Sequence, residues 1–190
     1  MCSSDLDDEA HPADPRRPRG PRLVPEAHLL ASPQEGLNSI SRVTNPDDIE
    51  RVTRLLGRRP NGSFEVVVRA ANGDPVVLRN APLMDDGTPM PTLYWLCDPQ
   101  HLVAVSRLEA DGGVDRAEAE IDAGALAEAH ERYARERDAA IPADHRGPRP
   151  SGGVAGTRVG VKCLHAHFAW HLAGGDDPVG RWVAARLEEN

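Results

Sequence analysis

The chain has 190 residues and a formal net charge of -8 at neutral pH, with 39% hydrophobic and only 4% aromatic residues. That length suits one domain with a core built mostly of Val, Leu and Ala. The acidic balance argues against a general nucleic-acid binder, since no basic excess exists to neutralise phosphates. No apolar run approaches the length of a membrane span. The acidic start, Met-Cys-Ser-Ser-Asp-Leu-Asp-Asp-Glu, lacks the basic-then-apolar form of a signal peptide. Three cysteines, one of them in that start, do not make a disulfide framework. A cytoplasmic protein with reduced thiols is expected. The near-total use of Arg over Lys reads as GC-rich coding, not as function.

In chain order, residues 1–40 are rich in Asp, Pro and Arg and lack periodicity. Pro12, Pro15, Pro18, Pro21 and Pro25 forbid a helix there, so a disordered acidic arm is expected, followed by a single α+β domain over 43–190. The domain opens with a helix. Asn45 is a suitable N-cap, Pro46 suits the first helical position, and Asp47 and Asp48 fill the first turn. Ile49, Val52, Leu55 and Leu56 form its apolar stripe, and Gly57 ends it. A hairpin follows, with Phe64–Arg69 and Pro75–Arg79 as β-rich runs around Asn72-Gly73-Asp74. Asp85-Asp86-Gly87 reads as a turn in the next loop. Thr92 to Cys97 reads as a third strand, with Leu93, Trp95 and Cys97 on one face and Tyr94 and Leu96 on the other.

Asp98-Pro99 then caps a helix to about Ala110, with Leu102, Val103, Val105 and Leu108 inward and Arg107 and Glu109 at its last turn, by default paired at the surface. From Ala117 to Ala140 a long, solvent-lined helix or helical hairpin is expected, weakened at Gly124, with Leu126, His130, Tyr133 and Arg137 on a common side. The irregular run Pro142 to Gly156 brings Arg146, Arg149 and, just beyond it, Arg158 into a basic loop that can order around an anion. It contains no P-loop signature. Asp176 to Gly180 turns into a last short helix with Trp182, Val183 and Leu187.

The stretch Gly160 to Gly174 is the densest in chemically capable side chains. It holds the sole lysine, Lys162, together with Cys163, His165, His167 and His171. At about 100° per residue, a helix starting near Gly160 places Val161, Leu164, Phe168 and Leu172 on one stripe. Cys163, His167 and Trp170 then lie opposite, with His171 on their shoulder. His165 falls roughly 160° from Cys163 on such a helix. Three readings compete. In the first the helix is buried and its Cys and His residues are structural. In the second Cys163, His167 and His171 bind zinc or a similar ion, with Cys97 or Asp98 supplying a further ligand. In the third Cys163 sits in the first helical turn beside Lys162 as an activated nucleophile, with an imidazole nearby.

Asp86-Gly87-Thr88-Pro89-x-Pro91-Thr92-Leu93-Tyr94, Ser106-Arg107-Leu108-Glu109 and Val161-Lys162-Cys163-Leu164-His165 resemble the mainly actinobacterial family catalogued as domain of unknown function family 501. The resemblance runs from about Val43 to the C-terminus. It implies no established activity. It implies relatives encoded near a septum-formation protein and an exopolyphosphatase, and a fixed Lys-Cys-Leu-His core in which His167, His171 and Cys97 are not fixed. That moves attention to Cys163 and His165.

The expected architecture is a small antiparallel sheet of about three strands covered by helices. The leading functional expectation is a non-catalytic interaction or regulatory domain in cell division or envelope regulation. The alternative is an enzyme acting on an anionic substrate by thiol or metal-assisted hydrolysis. In it, Cys163 and His165 or His167 are catalytic, and Lys162, Arg107 and Arg158 hold the anion. Its pocket would lie between the third strand's end and the His-rich helix.

Overall fold

The computed structural model describes residues 45–189; the arm expected at 1–40 lies outside them. The first helix, α1 (Pro46–Leu56), begins as its sequence dictates. Asn45 accepts a hydrogen bond from the Asp47 N–H, and Gly57 closes the last turn in the left-handed conformation. Strands β1 (Phe64–Arg69), β2 (Pro75–Asn80) and β3 (Tyr94–Leu96) form one antiparallel sheet in the order β1-β2-β3. Phe64 faces Asn80 across the first pair and Leu78 faces Trp95 across the second, with register irregularities near Val68.

The central strand β2 is buried on both faces, so Val76, Val77 and Leu78 run as consecutive core residues. On one face Val52 of α1 packs with Phe64, Leu78 and Cys97. On the other Val77, Tyr94 and Leu96 join the main core, which the remaining helices complete. These are α2 (Pro99–Ala110), α3 (Gly113–Glu120), α4 (Ala123–Ala139), α5 (Leu164–Leu172) and α6 (Pro178–Glu188). The α5 helix packs directly on β3 and α6. The fold is α+β, with a three-stranded antiparallel sheet and six α-helices among the described residues.

Several expectations need correction. The third strand is shorter than Thr92 to Cys97, and Leu93, just ahead of it, packs into the main core with Tyr94 and Leu96 and not with Trp95 and Cys97. Val103 is half exposed while Val105 and Leu108 are buried. The break in the long helical segment falls at Ile121, not Gly124. Ile121 is extended, and Asp122 accepts from the Ala125 N–H to start α4. The common side of α4 is not solvent-lined, because Leu126, His130, Tyr133 and Arg137 are all buried.

The largest correction concerns α5. It starts at Leu164, four residues later than Gly160 suggested. Gly160 has a φ of 70°, a region L side chains avoid, and a side chain there would collide with Glu118. The next N–H, of Val161, donates to the Glu118 carboxylate. Cys163 is extended, with φ -159° and ψ 118°, and occupies the N-cap position. The helix it caps is buried nearly all round, through Leu164, Ala166, His167, Phe168, Ala169 and Trp170, so no polar face exists.

Candidate metal centre

Because Cys163 lies ahead of the helix, a 100° rotation per residue does not relate it to His165. The two side chains meet, with Cys163 Sγ 3.7 Å from His165 Nδ1. Glu109, near the end of α2, completes the cluster. Its Oε1 lies 3.2 Å from His165 Nδ1 and accepts the Leu164 N–H at 2.6 Å. Cys163 makes no side-chain cap bond, so a carboxylate from another helix caps α5 in its place. The other imidazole nitrogen, Nε2, faces Ser106 Oγ at 3.1 Å and Leu102 O at 3.4 Å.

Leu102 O can only accept, so Nε2 carries a proton toward α2. In the neutral ring, Nδ1 then presents a lone pair to a carboxylate oxygen and a sulfur. Such a set needs a proton or a cation among the three. The Cys163 thiol hydrogen directed at Nδ1 is one solution, and a proton on Nδ1 is another. The imidazole's pKa is accordingly raised to about 9, first by its hydrogen bond to Cys163 and then by the Glu109 charge, against burial. A metal ion in place of those protons is a third. Ligand atoms of Glu109, Cys163 and His165 all lie within 4.8 Å of one another, the one such group found among the described residues, and each residue is half-buried. Bond lengths of about 2.0–2.3 Å at a tetrahedral centre set neighbouring ligand atoms roughly 3.3–3.7 Å apart. The nitrogen–oxygen and nitrogen–sulfur separations, 3.2 and 3.7 Å, lie close to two such edges, and the sulfur–oxygen edge is within 4.8 Å. The Nε2 contacts to α2 would fix the tautomer and the ring, as second partners of metal-bound imidazoles do.

The chain matches the family described as Protein of unknown function (DUF501) over residues 66–185 of its 190. It belongs to that family. No curated protein and no solved structure matches it. The DUF501 match spans both arms of the cluster, Ser106 to Glu109 on α2 and Lys162 to His165 at the head of α5.

The other expected site residues of this DUF501 chain lie apart. His167 is fully buried and its Nδ1 pairs with Asp177 Oδ2 at 2.7 Å; its Nε2 is buried with no partner among the described residues. Asp177 also accepts the Val179 N–H, so this pair joins the start of α6 to α5. His171 packs close to Gly180 of α6, and burial lowers its pKa first of all. Cys97 is buried and donates its thiol to Pro75 O at 3.3 Å, with its pKa pushed up to about 12 by burial and then by Asp98. Cys163, His167, His171 and Cys97 therefore share no ligand sphere.

An open cleft of about 250 Å³ is lined by Pro89, Pro91, Arg149 to Ser151, Ala155, Gly156 and Lys162. It is displaced from the expected pocket, and neither Arg107 nor Arg158 lines it; both are exposed. Of the expected anion-binding set only Lys162 does. In the sequence Glu109 stands in the Ser-Arg-Leu-Glu motif and at the last turn of α2, where it can face a ligand but where a glutamate ordinarily pairs at the surface.

Proposed function

We propose that the protein is a metal-dependent hydrolase whose zinc, or a similarly borderline-soft ion, is held by Glu109, Cys163 and His165. The observation that supports this is the convergence of sulfur, imidazole nitrogen and carboxylate oxygen within 4.8 Å of one another. Thiolate with imidazole favours zinc among common divalent ions. Three protein ligands in a half-buried site would leave one position of a four-coordinate ion open to water, the pattern of catalytic and not of structural zinc. The ion would bring that water's pKa to about 7. Held by Glu109, Cys163 and His165, such an ion would supply a hydroxide nucleophile for hydrolysis at neutral pH. The free thiols Cys97 and Cys163 suit the cytoplasm, the compartment we assign. Among the described residues no helix is long and apolar enough to cross a membrane. The partner-protein reading in division or envelope regulation rests on the genomic neighbourhood that the family resemblance implies, and the geometry adds nothing to it.

Elemental analysis of the purified full chain is the test. Close to one zinc per chain is expected, falling at least tenfold in Cys163→Ala and His165→Ala and several-fold in Glu109→Gln, with helical circular dichroism retained. A ratio near zero in the wild-type protein, with no change in melting temperature under chelation, overturns the reading.

A further inference from the structure

The open cleft lined by Pro89, Pro91 and the Arg149 loop carries two cations and no counter-charge. Arg149 and Lys162 line it, both exposed, and no carboxylate is among its lining residues. Among the described residues neither side chain has an ion-pair partner, although elsewhere on the surface arginine pairs with acid repeatedly, as in Arg181 with Asp176 and Arg186 with Glu120. In an acidic protein, two unneutralised cations lining one concavity raise the local concentration of anions.

The cleft is also held open from beneath. Buried Arg137 of α4 donates to Gly152 O at 2.7 Å and to Pro150 O at 3.4 Å. His130 accepts the Val154 N–H at 3.1 Å. The facing wall is Pro89 and Pro91, whose rings restrict the backbone. Gly156 sits so close to this wall that a side chain on it would meet Pro91 Cβ at 3.0 Å. The loop bearing Arg149 is thus fixed before any ligand arrives, which lowers the ordering cost of binding.

We infer that this cleft binds a phosphate group through Arg149 and Lys162. Two positive charges match a phosphate dianion, and a planar guanidinium donates to two of its oxygens at once. About 250 Å³ is small for a drug-sized ligand, so the cleft takes the phosphate and the few atoms attached to it. Lys162 and Cys163 are consecutive in the chain, the one covalent link between the cleft lining and the Glu109, Cys163 and His165 cluster. That the bound phosphate belongs to the hydrolysed substrate rests on the metal-hydrolase reading; the cleft's affinity for phosphate does not.

Calorimetric titration of the full chain with inorganic phosphate, pyrophosphate and succinate tests this. Saturable binding of phosphate or pyrophosphate is expected, weakening with salt. It should fall about tenfold or more in Arg149→Gln and in Lys162→Gln, while zinc content stays unchanged. Glu109→Gln should lose metal and keep phosphate. No binding at millimolar phosphate or pyrophosphate, wild-type affinity retained in both cleft variants, or succinate bound as tightly as phosphate would each overturn the assignment. Loss of zinc in Glu109→Gln without any change in phosphate titration keeps the two readings separately testable.

Discussion

Single side chains in this protein are distinguished by their partners more than by their type. Two histidines two positions apart on α5 illustrate this. His165 meets Cys163 and Glu109 at a half-buried edge, whereas His167 is sealed against Asp177. Tyr133 shows the same effect. Its ring is fully buried between Tyr94 and Trp170, and its hydroxyl accepts the backbone N–H groups of Leu93 and Tyr94 at 2.6 and 3.2 Å. Those donors open β3, and water cannot replace the phenolic oxygen so deep in the core. Tyr133→Phe therefore leaves two buried donors unsatisfied, at a cost of about 1–3 kcal/mol. Urea unfolding followed by circular dichroism should show that loss with an unchanged m-value. A midpoint equal to wild type would mean that these donors find another acceptor.

At the scale of elements, local chemistry is legible where a helix carries its own start signal. Asn45-Pro46, Asp98-Pro99 and Asp177-Pro178 each mark an observed helix start, and each cap accepts from the first turn. Asp98 accepts from the His101 N–H at 2.9 Å. Asp98→Ala should destabilise the protein by about 1 kcal/mol, read as a lower melting temperature. No shift would assign capping of α2 to another group. The α5 helix has no such signal. Its cap is Cys163, which makes no capping bond, and its first N–H, that of Leu164, is met by Glu109 from α2, 55 positions away in the chain. Periodicity alone extends the apolar pattern back to Val161, so the helix reads as starting near Gly160. That shift of register is what separates Cys163 from His165 on a helical wheel. The hairpin, α1 and α2 are set by neighbouring residues and can be read directly. The centre depends on a long-range cap and cannot.

Across the whole molecule, one segment, Pro150 to Leu164, is held by polar groups from three helices: Arg137 and His130 of α4, Glu118 of α3 and Glu109 of α2. This tethering makes stability sensitive to acid. His130 receives the Val154 N–H on Nδ1 and faces Gly160 O with Nε2 at 3.0 Å, an arrangement that fits only the neutral ring protonated at Nε2. Its pKa is lowered, first by burial and then by His167, against Gly160 O and Asp177; that of His171 is lowered too. The unfolded chain takes up these protons near pH 6.5, at about the ordinary histidine value. Below that pH it binds more protons than the folded chain, so stability falls as acid is added. His165 has the opposite sign. With its folded pKa raised to about 9, its contribution is complete below about 6.5 and is lost on the alkaline side, so it adds no slope in the acid window. With a chelator present, the urea midpoint should therefore decline between about pH 6.5 and pH 5. His130→Gln can still accept from Val154 and donate to Gly160 without titrating. It should be less stable near neutrality and lose less on acidification. A decline as steep as in wild type would assign the acid sensitivity to His171 or to the carboxylates instead of His130.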